Sequence, residues 1–383
     1  MLEARDFVDS CLKREFSFWS AAPCKELLPF TRYVGQNRNL EYVGAASGSE
    51  ALAVSVGATL AGRPGIALLP NSQLGSLVDP LCSLVFPYRI PLLLLVTRYG
   101  ASGIPGDSQH ELMGKITRDL LQRLRVESLP FPTEPAGVEP ALEQALETME
   151  SSGMPFAFLL EEPCVAAAPA RELPRTVRRP PAEGAGEFRR DPEARMSRSD
   201  AVRAIRDSLT GEEAVIAGNG GPGRELLALG HRSNQFYVPG ATGCAAAVGL
   251  GVARARRRRD VVVIDGDGSA LVGLVSFATV GFCAPPRFLH IILDDEVHGE
   301  AAGVASASSQ LELPALAAAC GYASVWWTDE QQDLADLVRG ASKHKGPSLI
   351  HVKVAPGPSG PPAGLHRTPV QIKHQFMDWV QER

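Results

Sequence analysis

The segment Asp265-Gly266-Asp267-Gly268-Ser269 follows the apolar run Val261–Ile264, and Asp294-Asp295 follows a second apolar run, Phe288–Leu293. Each run has the length and branched composition of a buried strand, with a helical pattern between them. In open parallel sheets, ligands bind outside the carboxyl ends of the strands. Two neighbouring strand ends therefore aim Asp267 and Asp295 at one point. Glycine at 266 and 268 lets backbone approach a phosphate, and the N-terminus of the following helix favours an anion. A pair of carboxylates suits Mg2+, a hard cation that takes oxygen ligands and bridges to phosphates. The plainer alternative is a set of acidic turn residues capping helices.

Strands and helices alternate along the whole chain. The first half predicts strands at Glu41–Ala45, Gly65–Leu69, Pro91–Thr97 and Pro155–Glu161. The second predicts them at Glu213–Ala217, Val261–Ile264, Phe288–Leu293, Ser324–Thr328 and Ser348–Val354. Helical stretches such as Glu50–Leu60, Ala245–Arg256 and Leu313–Cys320 lie between. Near-continuous apolar strands separated by helices imply parallel sheets covered on both faces. Residues 166–196 are rich in Pro, Arg, Glu and Gly, lack apolar period and read as a linker. The expected fold is α/β, with two doubly wound parallel-sheet domains at 1–165 and 197–383.

Composition bounds the function. A net charge of −5 over 383 residues gives no global pull toward nucleic acid. The basic run Arg254–Arg259 ends an apolar helix, where the helix dipole favours cations, and reads as a solvated helix end. The seven cysteines form no C-x-x-C pair, which argues against a zinc site and fits a reducing cytoplasm. The N-terminal stretch is charged and helical in pattern, and Ile90–Val96 is too short to span a bilayer. No membrane association and a cytoplasmic location are therefore expected.

The Gly-Asp-Gly motif with a later acidic pair resembles the signature of thiamine diphosphate enzymes, where the pair is usually Asn-Asn. The two-domain layout is similar to the phosphonopyruvate and sulfopyruvate decarboxylases. Local stretches carry that resemblance: Ala22-Pro23-Cys24, Asn71-Ser72-Gln73-Leu74-Gly75, Tyr88-Arg89-Ile90-Pro91, Gln109-His110-Glu111-Leu112-Met113-Gly114, Phe236–Ala253, Ile264–Gly303 and Arg367-Thr368-Pro369-Val370. It implies a pyrimidine-binding first half and a diphosphate-binding second half. It also implies Mg2+ on Asp267, Asp295 and the Val297 carbonyl. Around the cofactor it places Asn71, Gly240, Thr242, Gly243, Gly266, Gly268 and Ser269.

The chain departs from the resemblance at three points. Asp295 stands where an asparagine is usual and adds a negative charge. Thr242 stands where a large apolar residue wedges the cofactor rings. Gly48 occupies the position of the activating glutamate, with Glu50 two residues later. Glu50 either takes that role or is a first-turn helix acid after a serine N-cap. His110 and His298 are candidates to protonate the product, and Lys25 and Arg98 to bind the substrate.

The resemblance further implies a small 2-oxo acid substrate and at least a homodimer, with sites built between subunits. Phosphonopyruvate is the expected substrate, in phosphonate natural-product (antibiotic) biosynthesis, with sulfopyruvate the nearest alternative. A catalytically impaired cofactor-binding homologue is the alternative that the three departures motivate. A nicotinamide oxidoreductase is a fourth reading, because Gly218–Gly223 approximates a dinucleotide-binding glycine loop after a strand.

Overall fold

The computed structural model describes residues 1–101, 108–161, 164–166, 182, 196–297, 304–357 and 367–382. The chain divides into two units, Met1–Val177 and Arg178–Arg383. The first carries strands β1 (Phe18–Ala21), β2 (Glu41–Gly44), β3 (Gly65–Leu69), β4 (Leu93–Thr97), β5 (Glu127–Pro130) and β6 (Phe156–Leu160). The second carries β7 (Ala214–Ala217), β8 (Gln235–Tyr237), β9 (Val261–Gly266), β10 (Phe288–Asp294), β11 (Ser324–Thr328) and β12 (Ser348–Lys353). All pairings are parallel. This is the α/β, doubly wound, two-sheet class expected from the sequence.

The strand orders are β2-β1-β3-β4-β6-β5 and β8-β7-β9-β10-β12-β11, the same topology twice. In each sheet the order reverses beside the unit's first strand, between β1 and β3 and between β7 and β9. A crevice opens at such a switch point, outside the carboxyl ends of the strands.

In the first unit the helix Gly48–Leu60 is buried on every side apart from Ser49. Its apolar run lets it pass close over the sheet, and a Cβ on Gly65 would lie 2.6 Å from the Ser55 carbonyl oxygen. The Ser55 hydroxyl donates to the Ile66 carbonyl at 3.1 Å. Below the sheet, Phe7 packs on Phe131 with ring centroids 4.8 Å apart and on Phe158 edge-on at 5.7 Å. In the second unit the alanine- and glycine-rich helix Ala245–Ala255 lies against β7 and β9. A Cβ on its Gly249 would meet Val263 at 2.5 Å.

Three strands escaped the sequence reading. All four β1 residues are buried, so no alternation marks it. β5 is a short edge strand ending in Pro130, and β8 has only three residues. The basic run is also more structured than expected. Arg257 and Arg258 are exposed, but the Arg259 guanidinium lies 4.6 Å over the Trp379 ring and Arg254 donates to the Cys283 carbonyl. Among the described residues, no helix is long and apolar enough to cross a membrane.

Candidate cofactor and metal site

β9 and β10 are parallel neighbours, and Leu293 lies beside Gly266. That register sets the carboxyl ends of the two strands side by side. Asp267 begins a helix directly after β9, and Asp295 follows the last residue of β10. Both line one cavity of about 190 Å³, together with Gly266, Gly268, Ser269 and Val297. The turn after β7 contributes Asn219, Gly220 and Gly221, and Thr242 completes the wall. The cavity therefore sits at the switch point. A Cβ on Gly268 would meet nothing within 4 Å, so the backbone there faces open space.

Asp267 and Asp295 are 6% and 7% exposed. Burial pushes the Asp267 carboxyl up; hydrogen bonds from Ser306 and Ser308 oppose the rise and the charge of Asp294 adds to it. Burial also pushes Asp295 up, against the Val297 N–H; the Asp267 charge raises it further and Arg198 lowers it. Two buried carboxylates that disfavour each other's charge form a site that a cation would relieve. Among the described residues, no three His, Cys, Asp or Glu side chains cluster as a metal site. The donor set offered is instead two carboxylates and the neighbouring Val297 backbone, all oxygen, which fits Mg2+.

The other acids of the motifs have different duties. Asp265 points into the core, 2% exposed, with His290 Nε2 at 3.3 Å. A Cβ on Gly218 would lie 2.0 Å from Asp265 Oδ1, so glycine alone fits at the end of β7. Asp294 is 1% exposed and accepts from Lys353 Nζ at 3.0 Å and from the Glu296 N–H at 3.0 Å. His351 Nε2 lies 2.8 Å from its Oδ2. The Ser308 hydroxyl stands 2.9 Å from both Asp294 Oδ1 and Asp267 Oδ2, and its single proton serves one at a time. Burial would raise the Asp294 carboxyl, but His351 and Lys353 together hold it well below the usual range. We expect Asp294→Ala to cost about 3–5 kcal/mol, the scale for leaving a buried charge unpaired. Urea unfolding would measure it, and a loss under about 1 kcal/mol would contradict this role.

Thr242 is half-buried, and its hydroxyl accepts from Asn219 Nδ2 at 3.0 Å. The turn that carries it is close-packed: Gly243 has φ +85, and a Cβ there would lie 2.7 Å from the Gly273 nitrogen. Gly240 precedes Thr242 in the same turn.

The first-unit candidates gather at the carboxyl edge of their own sheet. Lys25 is exposed after β1, Glu50 follows β2, Asn71 follows β3 and Arg98 follows β4. Glu50 is 2% exposed. Its Oε2 accepts from the Ala46 N–H at 2.7 Å, its N–H donates to Ser47 Oγ at 3.3 Å, and Oε1 has no partner among the described residues. Ser47 thus caps the helix, the Glu50 carboxylate ties down the turn before it, and one buried oxygen has no partner among the described residues. Gly48, at the usual glutamate position, donates its N–H to Gln73 Oε1 at 2.5 Å.

Asn71 is 1% exposed and engaged within the protein. Its Oδ1 accepts from Thr97 Oγ1 at 3.0 Å, and Nδ2 donates to the Tyr99 carbonyl at 2.9 Å. These bonds brace the ends of neighbouring strands and hold Asn71, a cofactor contact expected from the sequence, at the carboxyl edge of the sheet. Arg98 is paired with Glu161. The His110 ring stands edge-on to Tyr99 at 4.7 Å, and its buried Nδ1 has no partner among the described residues. His298 lies outside the described residues. A cleft of about 920 Å³ in the first unit, lined by Arg89, Arg125 and Met154, includes none of these candidates.

Arg198 was missed. It starts the helix Arg198–Ser208, and its Nη1 donates to Asp295 Oδ2 at 2.9 Å while Nε donates to Glu225 at 3.0 Å. No sequence signal ties residues 97 positions apart.

Comparison with known proteins gives these features a context. Residues 230–352 match the family described as thiamine pyrophosphate enzyme, C-terminal TPP binding domain. The chain is similar to phosphonopyruvate decarboxylase of Streptomyces viridochromogenes, 36% identical over 99% of this chain and 95% of that protein. It is likewise 36% identical to phosphonopyruvate decarboxylase of Streptomyces hygroscopicus, over 100% of this chain and 95% of that one. Sulfopyruvate decarboxylase subunit beta of Methanococcus maripaludis is 30% identical over 49% of this chain and 99% of that subunit. In fold, the chain is similar to the crystal structure of benzoylformate decarboxylase from Polynucleobacter necessarius, with TM-score 0.70, 13% identity and coverage of 93% and 99%. A two-sheet α/β chain that matches such relatives along nearly its whole length belongs to the phosphonopyruvate decarboxylase family of thiamine diphosphate-dependent carboxy-lyases.

Proposed function

We propose that this chain converts 3-phosphonopyruvate to phosphonoacetaldehyde and CO2, using thiamine diphosphate and Mg2+, in the biosynthesis of a phosphonate natural product. The observation that carries the reading is the pairing of buried Asp267 and Asp295 at adjacent parallel strand ends, in a chain 36% identical to phosphonopyruvate decarboxylases from end to end. Bound thiamine diphosphate supplies a carbon nucleophile for the ketone and an electron sink for the departing carboxylate.

The chain's own residues bind, orient and move protons. Asp267, Asp295 and the Val297 carbonyl hold Mg2+. Gly266, Gly268, Ser269, Gly240 and Gly243 bring backbone to the diphosphate. Asn219 holds the Thr242 hydroxyl in place against the cofactor. Glu50 keeps Oε1 free to hold a proton at the aminopyrimidine. His110 offers its Nδ1, unpartnered among the described residues, as a proton donor to the product, with His298 the second candidate. Lys25 provides an exposed ammonium for the phosphonate, and Arg98, already paired with Glu161, serves it less directly. The reading includes a homo-oligomer of at least two chains, working in the cytoplasm.

The impaired-homologue reading rests on the departures at Gly48, Thr242 and Asp295, and the hydrogen bond that ties one Glu50 oxygen to the Ala46 N–H favours it. A single assay separates the possibilities. Purified protein with thiamine diphosphate and Mg2+ is given phosphonopyruvate or sulfopyruvate, and CO2 and aldehyde are measured. Faster turnover of phosphonopyruvate is expected. Preference for sulfopyruvate would reassign the substrate, and cofactor binding without CO2 from either would favour the impaired homologue.

A further inference from the structure

A cation site that must also accept a diphosphate faces an electrostatic conflict. Each added carboxylate strengthens the hold on the metal and repels the phosphate oxygens. Here two buried carboxylates face the same small cavity. A third, Glu225, is 6% exposed close by, and its Oε2 has no partner among the described residues.

Arg198 stands within this acidic group. Its side chain is 11% exposed, and it lines the cavity itself. One nitrogen donates to Asp295 at 2.9 Å and another to Glu225 at 3.0 Å, so a single guanidinium bridges two carboxylates. The slot it occupies is shaped for it. A Cβ on Gly221 would lie 2.4 Å from the guanidinium carbon, so glycine at that position admits the arginine. A third donor, Nη2, lies 3.5 Å from the Gly357 carbonyl. An arginine held this tightly is a fixed part of the wall and not a passing surface ion pair.

We propose that Arg198 is a positioning and charge-balancing residue: it offsets the Asp295 carboxylate so that the metal pair can accept an anionic diphosphate. This rests on the cofactor site proposed above. The arginine does not touch the reacting atoms. It fixes the Asp295 carboxylate from the side of Oδ2, while the Val297 N–H approaches Oδ1 at 3.3 Å. Losing the positive charge leaves a net more negative pocket. Such a pocket holds a bare divalent cation more tightly and a diphosphate less tightly.

The two effects have opposite signs, and that makes the test decisive. Mn2+ binding without cofactor is followed by electron paramagnetic resonance, and thiamine diphosphate binding at saturating Mg2+ by titration calorimetry, both at pH 8. For Arg198→Met we expect Mn2+ affinity to rise about threefold and thiamine diphosphate affinity to fall at least about tenfold, as for removal of a close charge. In the double variant Arg198→Met/Asp295→Asn, the missing positive and negative charges offset, and most of the lost thiamine diphosphate affinity returns. A damaged fold would weaken both ligands together, and thermal melting of the ligand-free variants tracks that separately. Parallel loss of both ligands in Arg198→Met, or a double variant no better than the single one, would overturn the proposal. Wild-type protein that binds no thiamine diphosphate with Mg2+ would instead overturn the site itself, and the role of Arg198 with it.

Discussion

Asp267→Ala is expected to lower thiamine diphosphate affinity at saturating Mg2+ by more than about a hundredfold, beyond the 10–100-fold typical of losing a group that only supports a metal ligand. The side chain supplies both charge and oxygen from the first position after β9. The same substitution should not unfold the protein. Burial already pushes the Asp267 carboxyl up, so its charge weighs against the ligand-free fold rather than supporting it. Ser308, which now stands between Asp267 and Asp294, keeps Asp294 as its acceptor. Calorimetry should therefore show lost cofactor binding beside a ligand-free melting temperature that is unchanged or raised. Undiminished affinity would remove Asp267 from the metal site.

Glu50→Gln is expected to reduce turnover of phosphonopyruvate at least about a hundredfold, the scale for losing an acid–base group. Glutamine is the informative choice because of what it preserves. Its amide oxygen can still accept from the Ala46 N–H, as Glu50 Oε2 does now at 2.7 Å, so the start of the helix Gly48–Leu60 survives. What it removes is a carboxyl able to hold and release a proton at the buried oxygen that has no partner among the described residues. Steady-state kinetics with unchanged thiamine diphosphate affinity would isolate the chemical role. A near-normal rate would reduce Glu50 to a helix-start acid.

The second unit was the more legible of the two. Its chemistry sits at the ends of long apolar strands, and parallel pairing of β9 with β10 follows from their buried, branched composition. Once those strands are neighbours, Asp267 and Asp295 must be close. The contacts that tune the pair were less accessible. His351 and Lys353 alternate as polar residues at the end of β12, a signal that they share one face and serve a buried partner, which proves to be Asp294. Arg198 carried no such signal, because only the folding of its helix brings it to Asp295.

The first unit was harder to read. Glu50 satisfies the pattern of a first-turn helix acid after a serine N-cap and of a buried acid at once, and both features are present. Asn71 was expected among the cofactor contacts from its stretch, but that stretch gave no sign that its amide also ties to Thr97 and Tyr99 at the ends of neighbouring segments. Short strands such as β1 and β8 lack the length over which periodicity becomes visible.

The most direct measurement is an anomalous-difference map from crystals grown with Mn2+ and thiamine diphosphate. The account requires one peak within coordination distance of Asp267, Asp295 and the Val297 carbonyl, with the diphosphate on its open side. A metal peak elsewhere, or a diphosphate bound with these two side chains turned from any ion, would contradict it.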